Sequence, residues 1–143
     1  GLVGSEMCKE TAFAQICAKE SACRETQIRY LKIIEDIETT PELLTTLTAY
    51  LLDYESSMAN TAKALCCHIN TIKYRLNAIR DNTGYSPSKP ADAYPLLIAV
   101  AINRMEILKM NNKEKSGGFV QMDKPVALFF CPYDKYNRTQ LDL

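Results

Sequence analysis

Only one histidine, His68, occurs in the 143 residues. Ser-His-Asp chemistry would have to pass through it, and a cap or turn role is the simpler reading. A Cys-His dyad with the adjacent Cys66 and Cys67 fails on geometry, because neighbours on a tight turn do not aim at one another while a third group orients the base. The 5 glycines form no phosphate-cradling loop, and no carboxylate pair is spaced for acid–base work. The chain therefore reads as a non-enzyme. Cys66, Cys67 and His68 are consecutive and cannot wrap one ion, and no second CxxC-like pair completes a set, so neither metal nor cofactor is expected. No apolar run approaches the roughly 18–20 residues that cross a bilayer, which argues against a membrane partner. No secretion signal opens the chain. It begins at Gly1 rather than Met and reads as a fragment of a longer product.

Charge of neither sign dominates: 17 basic residues face 17 acidic ones, for a net charge of +0. The total thus gives no hint of nucleic acid, but its distribution does. Between Asn60 and Arg80 the charged residues are Lys63, Lys73, Arg75 and Arg80, with no acid among them. A local positive stripe on a neutral chain is the pattern of a small phosphate-facing surface. The 6 cysteines (Cys8, Cys17, Cys23, Cys66, Cys67, Cys131) sit in a chain long enough to fill a core without staples. They read as reduced, mostly buried thiols of a cytoplasmic protein. A redox switch at Cys66 and Cys67 would rest on their position alone, and the buried-core reading is preferred.

At 47% hydrophobic and 24% charged, the composition is that of a soluble globular protein. Helical periodicity runs through most of it, so the expected fold is all-α: a multi-helix bundle, with a short β-hairpin left open for the tail. Three regions follow. Residues 1–38 read as two helices with a break near Ser21–Glu25 and stripes at Phe13/Ile16/Cys17 and Ile28/Leu31/Ile34/Ile37. Packing or dimerisation is their expected role, or they are the remnant of an upstream regulatory region. Residues 39–110 hold four helices. The first opens on a threonine cap with Pro41 and Glu42 in its first turn and runs to about Asp53. A short one ends near Leu65. A third carries Ile72, Leu76 and Ile79 on one stripe and stops at Thr83-Gly84. A long one covers about 91–110, burying Leu96, Leu97, Val100, Ala101, Met105 and Leu108, with Pro95 required to fall in its first turn. Residues 111–143 read as a linker, with apolar runs at 119–122 and 126–130 for the hairpin.

Two short helices joined by a tight turn behind a longer one make a helix-turn-helix. At about 100° per residue, the side opposite Ile72, Leu76 and Ile79 holds Asn70, Lys73, Tyr74 and Asn77, with Thr71 and Asp81 flanking. Asn pairs with adenine, Lys favours guanine acceptors or phosphate, Thr meets a thymine methyl, and Tyr74 can donate to a phosphate. Arg75 and Arg80 lie nearer the core margin, where phosphate contact or an internal ion pair is expected. Asn60 and Thr61, at the start of the preceding helix, offer side chains and N–H groups to phosphate.

The run Asn60-Thr61-Ala62-Lys63-Ala64-Leu65, then His68-Ile69-Asn70-Thr71-Ile72-Lys73-Tyr74-Arg75-Leu76, then Ile79 and Thr83-Gly84, resembles the C-terminal domain of PucR/CdaR-type transcription regulators. Leu43–Leu47 with Ala49-Tyr50-Leu51 upstream, and Leu96–Leu108 downstream, extend the resemblance to about half the chain. It implies a Fis-like helix-turn-helix at the end of a longer regulator, reading double-stranded DNA as a homodimer or higher oligomer. The implied DNA-binding set is Asn60, Thr61, Lys63, His68, Asn70, Thr71, Lys73, Tyr74, Arg75, Asn77 and Arg80, on a helix 70–82 placed in the major groove. Two departures stand out. Ile69 replaces a basic residue common in the family, and the tail after Met110 lies outside the usual pattern. The alternative is a protein–protein module on the same scaffold, met through the third helix or the segment 119–130.

Overall fold

The computed structural model describes residues 9–116, and this stretch is built of α-helices and one π-helical turn. Helix α1 (Lys9–Ala22) and helix α2 (Arg24–Glu38) are separated by Cys23 alone, whose extended backbone (φ −92°, ψ 116°) breaks the helical path where the sequence suggested. Their buried stripes are narrower than the periodicity implied. Ala14 and Cys17 are buried in α1, but Ile16 is exposed; Gln27, Ile34 and Ile37 are buried in α2, but Ile28 is 50% exposed. Ile28 stands about 120° round the helix from Ile34, at about 100° per residue. A stripe drawn through both is wider than the side of α2 that the neighbouring helices cover, and Ile28 falls outside it.

Helix α3 (Pro41–Thr48) opens with proline in its first turn, although Thr40 makes no side-chain cap. The helix reaches Asp53 as expected, but its last turn, Ala49–Asp53, is π-helical, which the sequence reading had missed. The Tyr54 N–H donates to Ala49 O at 3.0 Å, a five-residue step. The wider turn keeps Tyr50 and Leu51 in the core while bringing Asp53 to α6. Glu55 (φ 48°) and Ser56 (φ 61°) then reverse the chain in the left-handed region. Helix α4 (Met58–Ala64) is capped by Ser57, whose Oγ accepts from Asn60 N at 3.2 Å. A turn of four residues leads to helix α5 (Ile69–Thr83), which Gly84 closes at φ 79° by donating its N–H to Arg80 O.

Helix α6 (Pro90–Ser116) corrects two expectations. Pro95 lies inside it rather than in its first turn. The missing N–H deprives the carbonyl of Ala91, but Ala91 is exposed and water can serve it. The helix also runs through 111–116, which had been assigned to a linker. Its burial goes further round than the expected stripe: Ile98, Ala99 and Ile102 join Leu96, Val100, Ala101 and Met105, whereas Leu97 and Leu108 are half-buried. The reason is two neighbours. Leu96, Ala99 and Val100 meet Ile34, Ile37, Leu47, Ile72, Leu76 and Ile79 in one core. Ile98, Ala101, Ile102 and Met105 enclose Ala14 and Cys17 in a second. Helix α2 therefore shares a core with the helix-turn-helix, and α1 packs against α6.

Arg104 of α6 grips Asp53 with both guanidinium nitrogens, at 2.7 and 2.9 Å, and only 3% of the Asp53 side chain is exposed. Among the described residues no buried polar side-chain atom lacks a partner. The cysteines depart from expectation: Cys17 is buried, Cys67 half-buried, and Cys23 and Cys66 are exposed, all free thiols. Burial, with Glu20 secondary, pushes the Cys17 thiol up to about 12. At Cys23 the amide and then the hydroxyl of Thr26 lower the thiol from its ordinary value. The hairpin expected over 119–130, with Cys8 and Cys131, lies outside the described residues.

Candidate nucleic-acid interface

Helices α4 and α5 and the turn between them form the helix-turn-helix. The turn is tight because Cys66 takes a left-handed conformation (φ 51°), where a residue with a Cβ pays a steric penalty of roughly 1 kcal/mol or more. Backbone bonds hold it, Cys66 N to Lys63 O at 3.3 Å and Cys67 N to Ala62 O at 3.0 Å. His68 then caps α5, its Nδ1 accepting from Asn70 N at 3.1 Å. An accepting Nδ1 carries no proton, so Nε2 is the donor of the neutral ring. Of the cap and turn roles that the sequence left to His68, the structure gives it the cap.

Three core residues of α5, Ile72, Leu76 and Ile79, are buried at 0–4% exposure. The helix can pack only along that side, and its opposite side is left to solvent. Asn70, Lys73, Tyr74 and Asn77 are all exposed, Tyr74 at 74%. The polar side chains of α5 divide into two groups. Arg75, half-buried, donates to Thr46 Oγ1 at 3.2 Å and pairs with Glu42 at 3.5 Å. Thr46, itself buried, donates its hydroxyl in a hydrogen bond to Glu42 O at 2.7 Å. Arg80 pairs with Asp81 at 3.1 Å, Asn82 donates to Ala78 O, and Thr83 donates to Ile79 O. Asn70, Lys73, Tyr74 and Asn77 have no side-chain partner among the described residues. They occupy positions i, i+3, i+4 and i+7, one continuous helical face.

Around this face the remaining candidates fall differently. Lys63 is exposed on α4 without an ion pair among the described residues, and Thr71 is half-exposed beside Asn70. Asn60 is exposed, but its N–H is already given to Ser57 Oγ. Thr61 is fully buried and donates its hydroxyl to Ser57 O at 2.7 Å, so its side chain serves the cap and cannot reach a phosphate. Arg75 is turned toward α3, in keeping with the internal pair that was one of its two expected roles. Ile69 packs half-buried against the core. Sequence reasoning missed Ser57, Thr46, Asp53 and Arg104. Only Ser57 carried a local signal, a serine three residues before Asn60 at a helix start.

Residues 43–102 match the family model of the PucR C-terminal helix-turn-helix domain. An uncharacterized protein of Mycobacterium tuberculosis is 42% identical over 65 residues, 46% of this chain and 16% of the relative. One from Mycobacterium bovis matches to the same extent. The chain thus spans a small part of the length of the curated relatives it matches. No solved structure matches it significantly. The described helices include none long and apolar enough to cross a membrane.

Proposed function

We propose, from a helix-turn-helix of the PucR C-terminal type at residues 43–102, that this chain is the DNA-binding part of a bacterial transcription regulator acting in the cytoplasm. Helix α5 enters the major groove of double-stranded DNA. One observation carries the reading: the four outward side chains of α5, Asn70, Lys73, Tyr74 and Asn77, have no side-chain partner among the described residues, while the other polar side chains toward its C-terminal end are engaged internally. Unlike the exposed face of α2, with Lys32, Glu35 and Asp36, the face carries no acid among its four groups. This face presents donors, acceptors and a cation in the spacing a groove about 12 Å wide admits.

Lys63 and Lys73 supply phosphate contacts, and Arg80 exchanges its exposed partner Asp81 for a phosphate. An exposed pair of that kind is worth about 0–1 kcal/mol, so the exchange costs little. The Nε2–H of His68 and the half-exposed Thr71 add neutral donors at the N-terminal end of α5, the end that recognition helices turn to the bases. Two such units in a homodimer or larger assembly read paired half-sites, which offsets the modest charge of a single one.

The test is a fluorescence-anisotropy titration with a pool of random duplex DNA at two salt concentrations, alongside a Lys73→Ala/Asn77→Ala double variant. Binding that weakens steeply with salt and falls in the variant supports the reading. A protein folded by circular dichroism that binds no duplex at low salt overturns it for this chain, and leaves a protein partner for the same face.

A further inference from the structure

Asn70 and Asn77 are the two free amides on the outward face of α5, two helical turns apart. At about 1.5 Å of rise per residue their Cα atoms stand roughly 10 Å apart along the helix axis. That is about three base-pair steps of B-DNA, at about 3.4 Å each. A side-chain amide offers one acceptor and one donor group side by side. In the major groove that pair matches adenine, which presents its N6 amino donor beside its N7 acceptor. Guanine presents two acceptors there, and an asparagine carbonyl would face one of them.

Guanine has its own preferred reader, the forked guanidinium, and α5 carries none between the two amides that is free to turn outward. Arg75 is held by Thr46 and Glu42 on the α3 side. Arg80 stands near the C-terminal end, paired with Asp81. Between the two amides in sequence lies Tyr74, its side chain the most exposed of the large apolar groups among the described residues at 74%. A ring there can lie against the C5-methyl of thymine, whose partner base is again adenine. Lys73, on the other flank, is the one free cation of this face among the described residues and reaches phosphate or a guanine acceptor.

We infer that the half-site read by α5 is centred on A·T pairs: two adenines about three base pairs apart, one taken by Asn70 and one by Asn77, with a thymine methyl against Tyr74. This rests on the DNA-binding reading above and adds the base identity to it. The three determinants are Asn70, Tyr74 and Asn77, and affinity in general remains with the lysines.

The experiment is selection of duplexes from a random pool by the 143-residue chain, followed by titration of the selected site with 7-deazaadenine in place of each adenine in turn. That analogue lacks only the N7 acceptor. Expected are adenines at two positions about three pairs apart, each losing about five- to a hundredfold in affinity on substitution. Asn77→Ala should abolish the analogue's effect at one of these positions and Asn70→Ala at the other, with circular dichroism confirming the fold. Guanine at these positions, or analogues without effect while salt-sensitive binding persists, would overturn the inference and leave DNA binding standing. Failure to bind any duplex at low salt would overturn both.

Discussion

Helices α5 and α6 differ in what they do with their polar groups. Helix α6 is enclosed by two cores, and its Arg104 is committed to Asp53 on the neighbouring π turn. Helix α5 buries one stripe and leaves the opposite one chemically idle. Within α5 the same division recurs between adjacent residues: Arg75 is spent on the fold, whereas Lys73 and Tyr74 are not. A positive charge in a helix-turn-helix is thus weak evidence of DNA contact until its partners are known. The contrast separates cations that hold the fold from those available to a ligand.

Substitution of Asp53 by Asn should give the largest effect, because it strands a nearly buried guanidinium. A loss of about 3–5 kcal/mol in urea-denaturation stability is expected. A loss below about 1 kcal/mol would mean that Arg104 finds water, and that the two helices differ less than their geometry implies. Arg75→Ala should cost about 1.5–3 kcal/mol, the range for hydrogen bonds to a charged group, and should leave the salt dependence of DNA binding almost unchanged. Ser57→Ala removes the α4 cap and should cost about 1 kcal/mol. Lys73→Ala reverses the pattern. Its stability should stay within about 0.5 kcal/mol of the parent, while the slope of log affinity against log salt falls by about 1. If Arg75→Ala and Lys73→Ala behave alike in both assays, the division within α5 is wrong.

The Cys17 thiol gives the second core a handle on pH. Burial raises Cys17 from 9.0 to about 12, so the folded chain holds a proton that the unfolded chain releases. Stability is accordingly lost as pH rises from about 9 toward 12. Cys17→Ala should flatten that part of the pH–stability profile.

Much of the helix-turn-helix is legible in the sequence, and the reason is local. Ile72, Leu76 and Ile79 repeat at helical spacing, Thr83-Gly84 ends the helix, and His68 sits where a cap is required. The outward face follows from that stripe by rotation alone. What stayed hidden depends on chain segments far apart. Arg75 meets Thr46, and Arg104 meets Asp53, only because α3 and α6 arrive there in the fold. Ile16 and Ile28 were placed in stripes that periodicity allows, but the packing of α1 and α2 uses the neighbouring positions. Thr61 shows the limit within a single motif. A threonine at a helix start reads as a phosphate ligand, yet its burial turns it into part of the Ser57 cap. The π turn had no compositional sign, since Ala49-Tyr50-Leu51-Leu52-Asp53 suits an ordinary helix equally well.

That turn also gives α3 a residue to spare. A π turn holds one residue more than the α-helical step it replaces, within about the same rotation. Deleting Leu52 and letting the ordinary step close would therefore leave Pro41–Thr48 facing Arg75 and the core much as before. A deletion inside Pro41–Thr48, where the helix is regular, would instead roll the residues before it by about 100° relative to Asp53. Thr46 would then leave Arg75, and Leu47 would leave the core that Ile72 and Ile79 share with it.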